Sequence, residues 1–144
     1  MVEQISQIGG AFALLAFNHV IADWVFQTDQ TAHQKSHQGW ALTAHSGLYT
    51  LLMLPLISLM IANPETLAAW LAVVFASHWV TDTYLPTWGW LVYIRRYPKA
   101  REGSLVDFAA LVEADPLVLV LCIVVDQILH LLPLGGLAAW VVLT

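Results

Sequence analysis

The sequence predicts an all-α membrane protein, a bundle of four transmembrane helices with a short amphipathic interfacial helix between the third and fourth spans. Of its 144 residues, 59% are hydrophobic and only 10% are charged, and the mean hydropathy is +0.71. Soluble domains carry about a quarter charged residues, so a conventional water-exposed surface is not expected. Four apolar runs of about 20 residues, the length that crosses a bilayer, occupy most of the chain. Residues 1–144 are therefore interpreted as one integral membrane domain.

The predicted spans cover about 5–26, 40–62, 65–94 and 116–142. The first has Glu3 and no Lys or Arg ahead of it, which favours a retained span over a cleaved signal peptide. Asn63 and Asp115 are each followed by proline, a cap and first-turn pattern that predicts the starts of the third and fourth spans. The runs lack the period-two alternation of barrel strands, so they predict helices. A distortion is expected at residues 133–136, which contain a proline and two glycines.

The connection between the first and second predicted spans and the connection between the third and fourth lie on the same side of the membrane. Together they hold every Lys and Arg residue of the chain. These residues are Lys35 in the first connection and Arg95, Arg96, Lys99 and Arg101 in the second. The positive-inside rule makes both connections cytoplasmic and both termini non-cytoplasmic in a multi-pass protein. In the second connection, Ser104 and Asp107 have the spacing of a capping box, which predicts the interfacial helix over Leu105–Ala114.

Composition also excludes several functional classes. Cys122 is the single cysteine, so the chain can form neither an intramolecular disulfide nor a cysteine-based metal cluster. The basic residues form no stripe that would bind nucleic acid, so the lipid bilayer is the expected partner.

Three of the predicted spans carry a histidine and an aspartate spaced i, i+4, which places both side chains on one helix face. Ionisable groups are costly in a bilayer and face the bundle interior, where they mark functional sites. His45, near the cytoplasmic end of the second span, extends the set. The candidate metal ligands are His19, Asp23, His45, His78, Asp82, Asp126 and His130.

Imidazole and carboxylate are the usual ligands of divalent Zn, Mn or Fe, and facing helices of a bundle can assemble one or two such ions. An open coordination position would activate water for hydrolysis, so we expect a metal-dependent hydrolase acting on a lipid or another membrane-proximal substrate. Asp23, Asp82 and Asp126 are the candidate catalytic carboxylates.

Two non-enzymatic interpretations use the same residues. In the first, the protein is an accessory or scaffolding subunit of a larger membrane complex, or part of a homo-oligomer. The pairs then form structural hydrogen bonds between helices or ligate a haem or chlorophyll. Proton or ion passage is the second interpretation. It requires polar residues that continue to the outer face, where the sequence has few beyond Asn18 and Ser77.

The order and spacing of these residues resemble a known family. The stretches that carry the resemblance are His19 to Gln27, His45 to Tyr49, Ser77 to Asp82 and Val125 to His130. Together they resemble the small bacterial and phage membrane proteins known as domain of unknown function 3307. More distantly, they resemble bacterial inner-membrane proteins described as metal-dependent hydrolases. The resemblance implies a location in the bacterial inner membrane, and its distant part implies hydrolysis.

Overall fold

The computed structural model describes residues 1–25, 39–98, 103 and 105–144. These residues are largely helical and contain no strand, so the all-α prediction is confirmed for them. The helices are α1 (Val2–Val20), α2 (Gly39–Met60), α3 (Pro64–Thr81), α4 (Leu85–Gly89), α5 (Leu105–Ala114) and α6 (Pro116–Leu143). A π-helical turn, Ile21–Val25, continues α1, and a second one, Trp90–Ile94, follows α4.

The four long helices pack in a ring, in which α1 and α3 each contact both α2 and α6. Each of them contributes a buried side chain to one apolar core: Leu15, Met53, Val74 and Leu134. In a bilayer, helix association depends on such close packing, because lipid tails are as apolar as the side chains. The core therefore fixes the ring whose polar end holds the site.

Three helical segments are long and apolar enough to cross a membrane, namely Val2–Trp24, Gly39–Met60 and Pro116–Leu143. Large apolar side chains cover their outward faces, among them Phe17, Leu51 and Leu132, each more than half exposed. Water disfavours such surfaces and lipid accepts them, so the helices are those of a membrane protein. The fourth ring member, α3, has 18 residues and is not among these three segments, so a fourth span remains a prediction.

The predicted third span, 65–94, is not one continuous helix. After α3 ends, Tyr84 adopts a left-handed conformation with a φ of 62°. The Thr83 hydroxyl donates to a carbonyl of the last turn of α3 at 2.6 Å and accepts from the first backbone N–H of α4 at 3.3 Å. Pro86 has no backbone N–H and so suits the first turn of the new helix. The break leaves Asp82 as the C-cap of α3, with its backbone N–H still bonded to the carbonyl of His78 at 3.0 Å.

Both predicted capping residues are confirmed. Asn63 accepts a hydrogen bond from the backbone N–H of Thr66 at 2.9 Å, and Asp115 accepts one from that of Leu117 at 3.1 Å. α6 then continues through Pro133 to its end, so the distortion expected at residues 133–136 does not interrupt the helix.

The helix predicted over Leu105–Ala114 is formed as α5. Phe108 and Val112 pack it into a second apolar cluster with Leu91, Val118 and Cys122. The capping residue predicted for it, Ser104, and the side chain of Asp107 lie outside the described residues, as do Gln27 and 28–38 of the first connection. An interfacial position for α5 remains a prediction.

Candidate metal centre

Each helix of the ring contributes a buried histidine to one end of the bundle. Asp23 lies just beyond α1 and Asp82 just beyond α3, while His45 lies in the first two turns of α2. The buried histidines and aspartates here are His19, Asp23, His45, His78, Asp82 and His130. The seventh candidate ligand, Asp126, is partly exposed, with 23% of its side chain accessible.

Four of these residues direct one atom each towards a common point. Nε2 of His45 lies 3.1 Å from Oδ1 of Asp23, 3.3 Å from Oδ2 of Asp82 and 3.1 Å from Nε2 of His78. Nε2 of His78 lies 3.6 Å from the same Asp23 oxygen and 3.5 Å from the same Asp82 oxygen. The four atoms thus form a compact group that could hold a metal ion.

The separations in this group are close to those of a tetrahedral metal site, although two of them are slightly shorter. Zinc binds imidazole nitrogen and carboxylate oxygen at about 2.0–2.2 Å, so the edge of a regular tetrahedron of ligands is about 3.3–3.6 Å. The five measured edges between the four atoms range from 3.1 to 3.6 Å. The donor set, two nitrogens and two oxygens, is one that zinc accepts.

Local backbone structure brings Asp23 into this group. The π-helical turn that carries it has a wider register than an α-helix, and such turns are frequent at functional sites. Asp23 contacts His45 of α2. In the other two i, i+4 pairs the partners contact each other: His78 Nε2 lies 3.5 Å from Asp82, and His130 Nδ1 lies 3.3 Å from Asp126.

His19 has a different environment from the other histidines. Its Nδ1 lies 3.0 Å from the hydroxyl of Tyr49, and its Nε2 lies 3.2 Å from Oε1 of Gln127. Gln127 in turn donates from its amide nitrogen to Oδ2 of Asp126 at 3.2 Å. Because both ring nitrogens are engaged, His19 connects α2 to α6 and orients Asp126 through Gln127. It also lies close enough to Asp23 and His130 to form a ligand group with them.

Stacking orients the ring of His78. The Tyr49 ring lies parallel to it, at an interplanar angle of 4° and a centroid separation of 3.7 Å. Nδ1 of His78 is buried and has no hydrogen-bond partner among the described residues. The aromatic contact therefore holds the plane of this ring, so that Nε2 points into the four-residue group.

A cavity of about 200 Å³ reaches the cluster from the side of α5 and α6. Its polar wall contains three carboxylates, those of Asp23, Asp82 and Asp126. Its remaining lining is mostly apolar, with Trp24, Tyr84, Val112, Leu119, Cys122, Ile123 and the polar Gln127. A small molecule in this cavity would contact carboxylates on one side and hydrocarbon on the other.

All seven predicted ligands therefore lie at one end of the bundle, and each belongs to at least one group that could hold a metal ion. Tyr49 is the residue that the spacing analysis missed. It lies four positions after His45, so the same i, i+4 rule could have found it, had the rule included tyrosine.

Comparison with known proteins agrees with the motifs. A family model described as a protein of unknown function, DUF3307, matches residues 11–142, a range that contains all seven candidate ligands. No curated protein and no solved structure matches the chain. Because the family model covers nearly the whole chain, this protein belongs to the DUF3307 family.

Proposed function

We propose that this protein is a membrane-embedded metalloenzyme that binds a divalent ion between α2, α3 and the end of α1 and hydrolyses an ester of an amphipathic substrate. The observation that carries the metal assignment is the set of five edges of 3.1–3.6 Å among Asp23, His45, His78 and Asp82. Zinc fits best, and Mn²⁺ or Fe²⁺ are the other candidates.

The cation also accounts for the burial of the cluster. Two carboxylates and two imidazoles, each at most 5% exposed, are costly to remove from water. A divalent cation compensates both carboxylate charges and accepts the lone pairs of both imidazoles. Metal binding therefore contributes to folding as well as to chemistry.

The cavity supports the assignment of a substrate class. Trp24, Leu119 and Ile123 line it and are 42–55% exposed on the outer surface of the helices. A cavity bordered by such residues opens sideways towards lipid. A lipid or lipid-linked molecule could place its polar group beside the carboxylates and keep its chains in the bilayer.

Hydrolysis is the reaction that this arrangement suits. A divalent ion held at the carboxylate cluster with one coordination position open to the cavity would polarise the ester and lower the pKa of water. The water oxygen bonds to the carbonyl carbon or phosphorus, and the bond to the alcohol oxygen breaks. A carboxylate oxygen of the cavity wall that does not bind metal would accept one water proton and return it to the leaving alcohol, so that an acid and an alcohol are the products.

We also propose the orientation of the bundle in the membrane. If α3 is a fourth span, the bundle crosses a bacterial inner membrane four times, through α1, α2, α3 and α6. Both termini then lie on the non-cytoplasmic side. The cluster then lies near the cytoplasmic face, where Arg95 and Arg96 follow α4. Reporter fusions to the two termini test this orientation.

The test of function begins with detergent-purified protein and elemental analysis. Wild-type protein should retain at least one equivalent of divalent metal, and Asp82→Asn should lose it while remaining helical by circular dichroism. Glu65→Gln is the matched control, because it removes an exposed carboxylate from the opposite end of the same helix.

The second step measures hydrolysis of fluorogenic phospholipid and acyl-ester analogues in mixed micelles. Activity should follow metal content across the wild type and both variants. Metal-free wild-type protein would overturn the proposal. If a stable partner copurifies with that metal-free protein, the alternative role as an accessory subunit of a larger complex gains support.

A further inference from the structure

The second candidate group of ligands lies on the other side of Asp82. Oδ2 of Asp82 faces His45 and His78, at 3.3 and 3.5 Å. Its Oδ1 faces Nε2 of His130 on α6, at 3.7 Å. The two oxygens of one carboxylate therefore point into two different clusters, as in a carboxylate that bridges two metal ions.

His130 has the hydrogen-bonding pattern of a metal ligand. Its Nδ1 donates to the backbone carbonyl of Asp126, at 3.0 Å. Metal-bound histidines characteristically donate their other ring N–H to a carbonyl or carboxylate in this way. With that proton on Nδ1, neutral imidazole keeps its lone pair on Nε2. Nε2 is buried and has no hydrogen-bond partner among the described residues, and it faces the Asp82 oxygen.

Asp126 completes this second group. One ligand atom each from Asp82, Asp126 and His130 lie within 4.8 Å of one another, so a small side-chain movement brings them to a common ion. The Asp126 side chain is 23% exposed, lines the cavity and is held by the amide of Gln127 at 3.2 Å. This group therefore borders the cavity.

We propose that Asp82, Asp126 and His130 bind a second divalent cation, bridged to the first by Asp82, with its open coordination position facing the cavity. The inference rests on the proposed function, which supplies the first ion. Four protein ligands close a coordination sphere, as in structural zinc sites, whereas three ligands leave a position for water or substrate. The four-residue group thus holds the ion that organises the bundle, and the three-residue group holds the ion that meets the ester.

Metal stoichiometry and spectroscopy test this assignment. Full-length protein in detergent is stripped with a chelator and titrated with Mn²⁺ under calorimetric and electron paramagnetic resonance detection. The wild type should bind two ions per chain and show the broadened spectrum of two coupled ions. His130→Gln and Asp126→Asn should each bind one ion with the resolved spectrum of isolated Mn²⁺. Glu113→Gln, which removes an exposed carboxylate from α5, should still bind two.

The outcomes separate this inference from the proposed function. In one outcome, the wild type binds one uncoupled ion that His130→Gln retains and His45→Gln loses. That result would overturn the second site and leave the first in place. No bound ion in the wild type overturns both. The wild-type spectrum decides the question even if a variant fails to fold.

Discussion

Nε2 of His45 lies 3.1 Å from Nε2 of His78, although the residues belong to different helices and stand 33 positions apart. Each nitrogen also faces a carboxylate oxygen of Asp82, at 3.3 and 3.5 Å. Neutral imidazoles each carry a single ring proton, so these contacts cannot all be satisfied by hydrogen bonds from Nε2. A divalent cation at the centre, as proposed above, would satisfy every one of them.

The histidines should divide by role. His78→Gln removes one of the four converging atoms, so we expect loss of the tightly bound ion, with affinity reduced at least tenfold. His19→Gln should leave the number of bound ions unchanged, because both of its ring nitrogens already contact Tyr49 and Gln127. Elemental analysis after dialysis distinguishes the two variants. Equal loss of metal in both would show that His19 is itself a ligand.

Removal of metal should destabilise the protein. A ligand present at 100 times its Kd stabilises the folded state by about 2.7 kcal/mol, which corresponds to about 5–10 °C in Tm for a chain of this size. We therefore expect a chelator to lower the Tm by this amount and added Zn²⁺ to restore it. Differential scanning fluorimetry provides the measurement, with a thiol-reactive dye that labels the buried Cys122 when the protein unfolds. In Asp82→Asn the chelator should have no effect, and an equal shift there would contradict the assignment.

Tyr49→Phe separates stacking from hydrogen bonding. The phenyl ring keeps its contact with His78, but the hydroxyl that contacts Nδ1 of His19 is removed. We expect metal affinity to stay close to that of the wild type, because the stacking that orients His78 is retained, and we expect a cost of about 1 kcal/mol in stability from the lost hydrogen bond. Tyr93→Phe is the control, since Tyr93 is 73% exposed. A loss of metal affinity of about tenfold or more in Tyr49→Phe would show that its hydrogen bond to His19 supports the metal ligands.

The cavity should control access of substrate. Ile123→Trp places a larger ring in its lining, so we expect kcat/KM for lipid esters to fall at least tenfold while metal content stays at the wild-type level. Val124→Trp adds the same bulk to the adjacent exposed position of α6, which does not line the cavity. Equal losses in the two variants would argue against entry at this side of the bundle.

The apolar core and the metal cluster should be separable. Ile57 is fully buried among the four ring helices, away from the ligands. Truncation to alanine should cost about 2–5 kcal/mol through the cavity that it leaves. Metal stoichiometry of the folded fraction should stay unchanged, as measured by elemental analysis after size exclusion. Loss of the ion in Ile57→Ala would mean that the core and the cluster fold as one unit.

The sequence by itself determined which segments are helical and which residues could form the site. Long apolar runs require a hydrocarbon environment, caps at Asn63 and Asp115 begin two helices, and i, i+4 spacing places His78 with Asp82 on one face. These properties are local, because each depends on neighbours within one or two helical turns.

Tertiary structure decided how the residues divide between roles. Helix packing brought His45 of α2 to Asp23 and turned His19 towards Tyr49, while the break after α3 placed Asp82 between two clusters. Neither the π-helical turn nor the break is visible in a periodicity of 3.6 residues, and the distances between helices depend on side chains far apart in the chain. Spacing along one helix fixes a face, but only packing fixes which atoms of different helices meet.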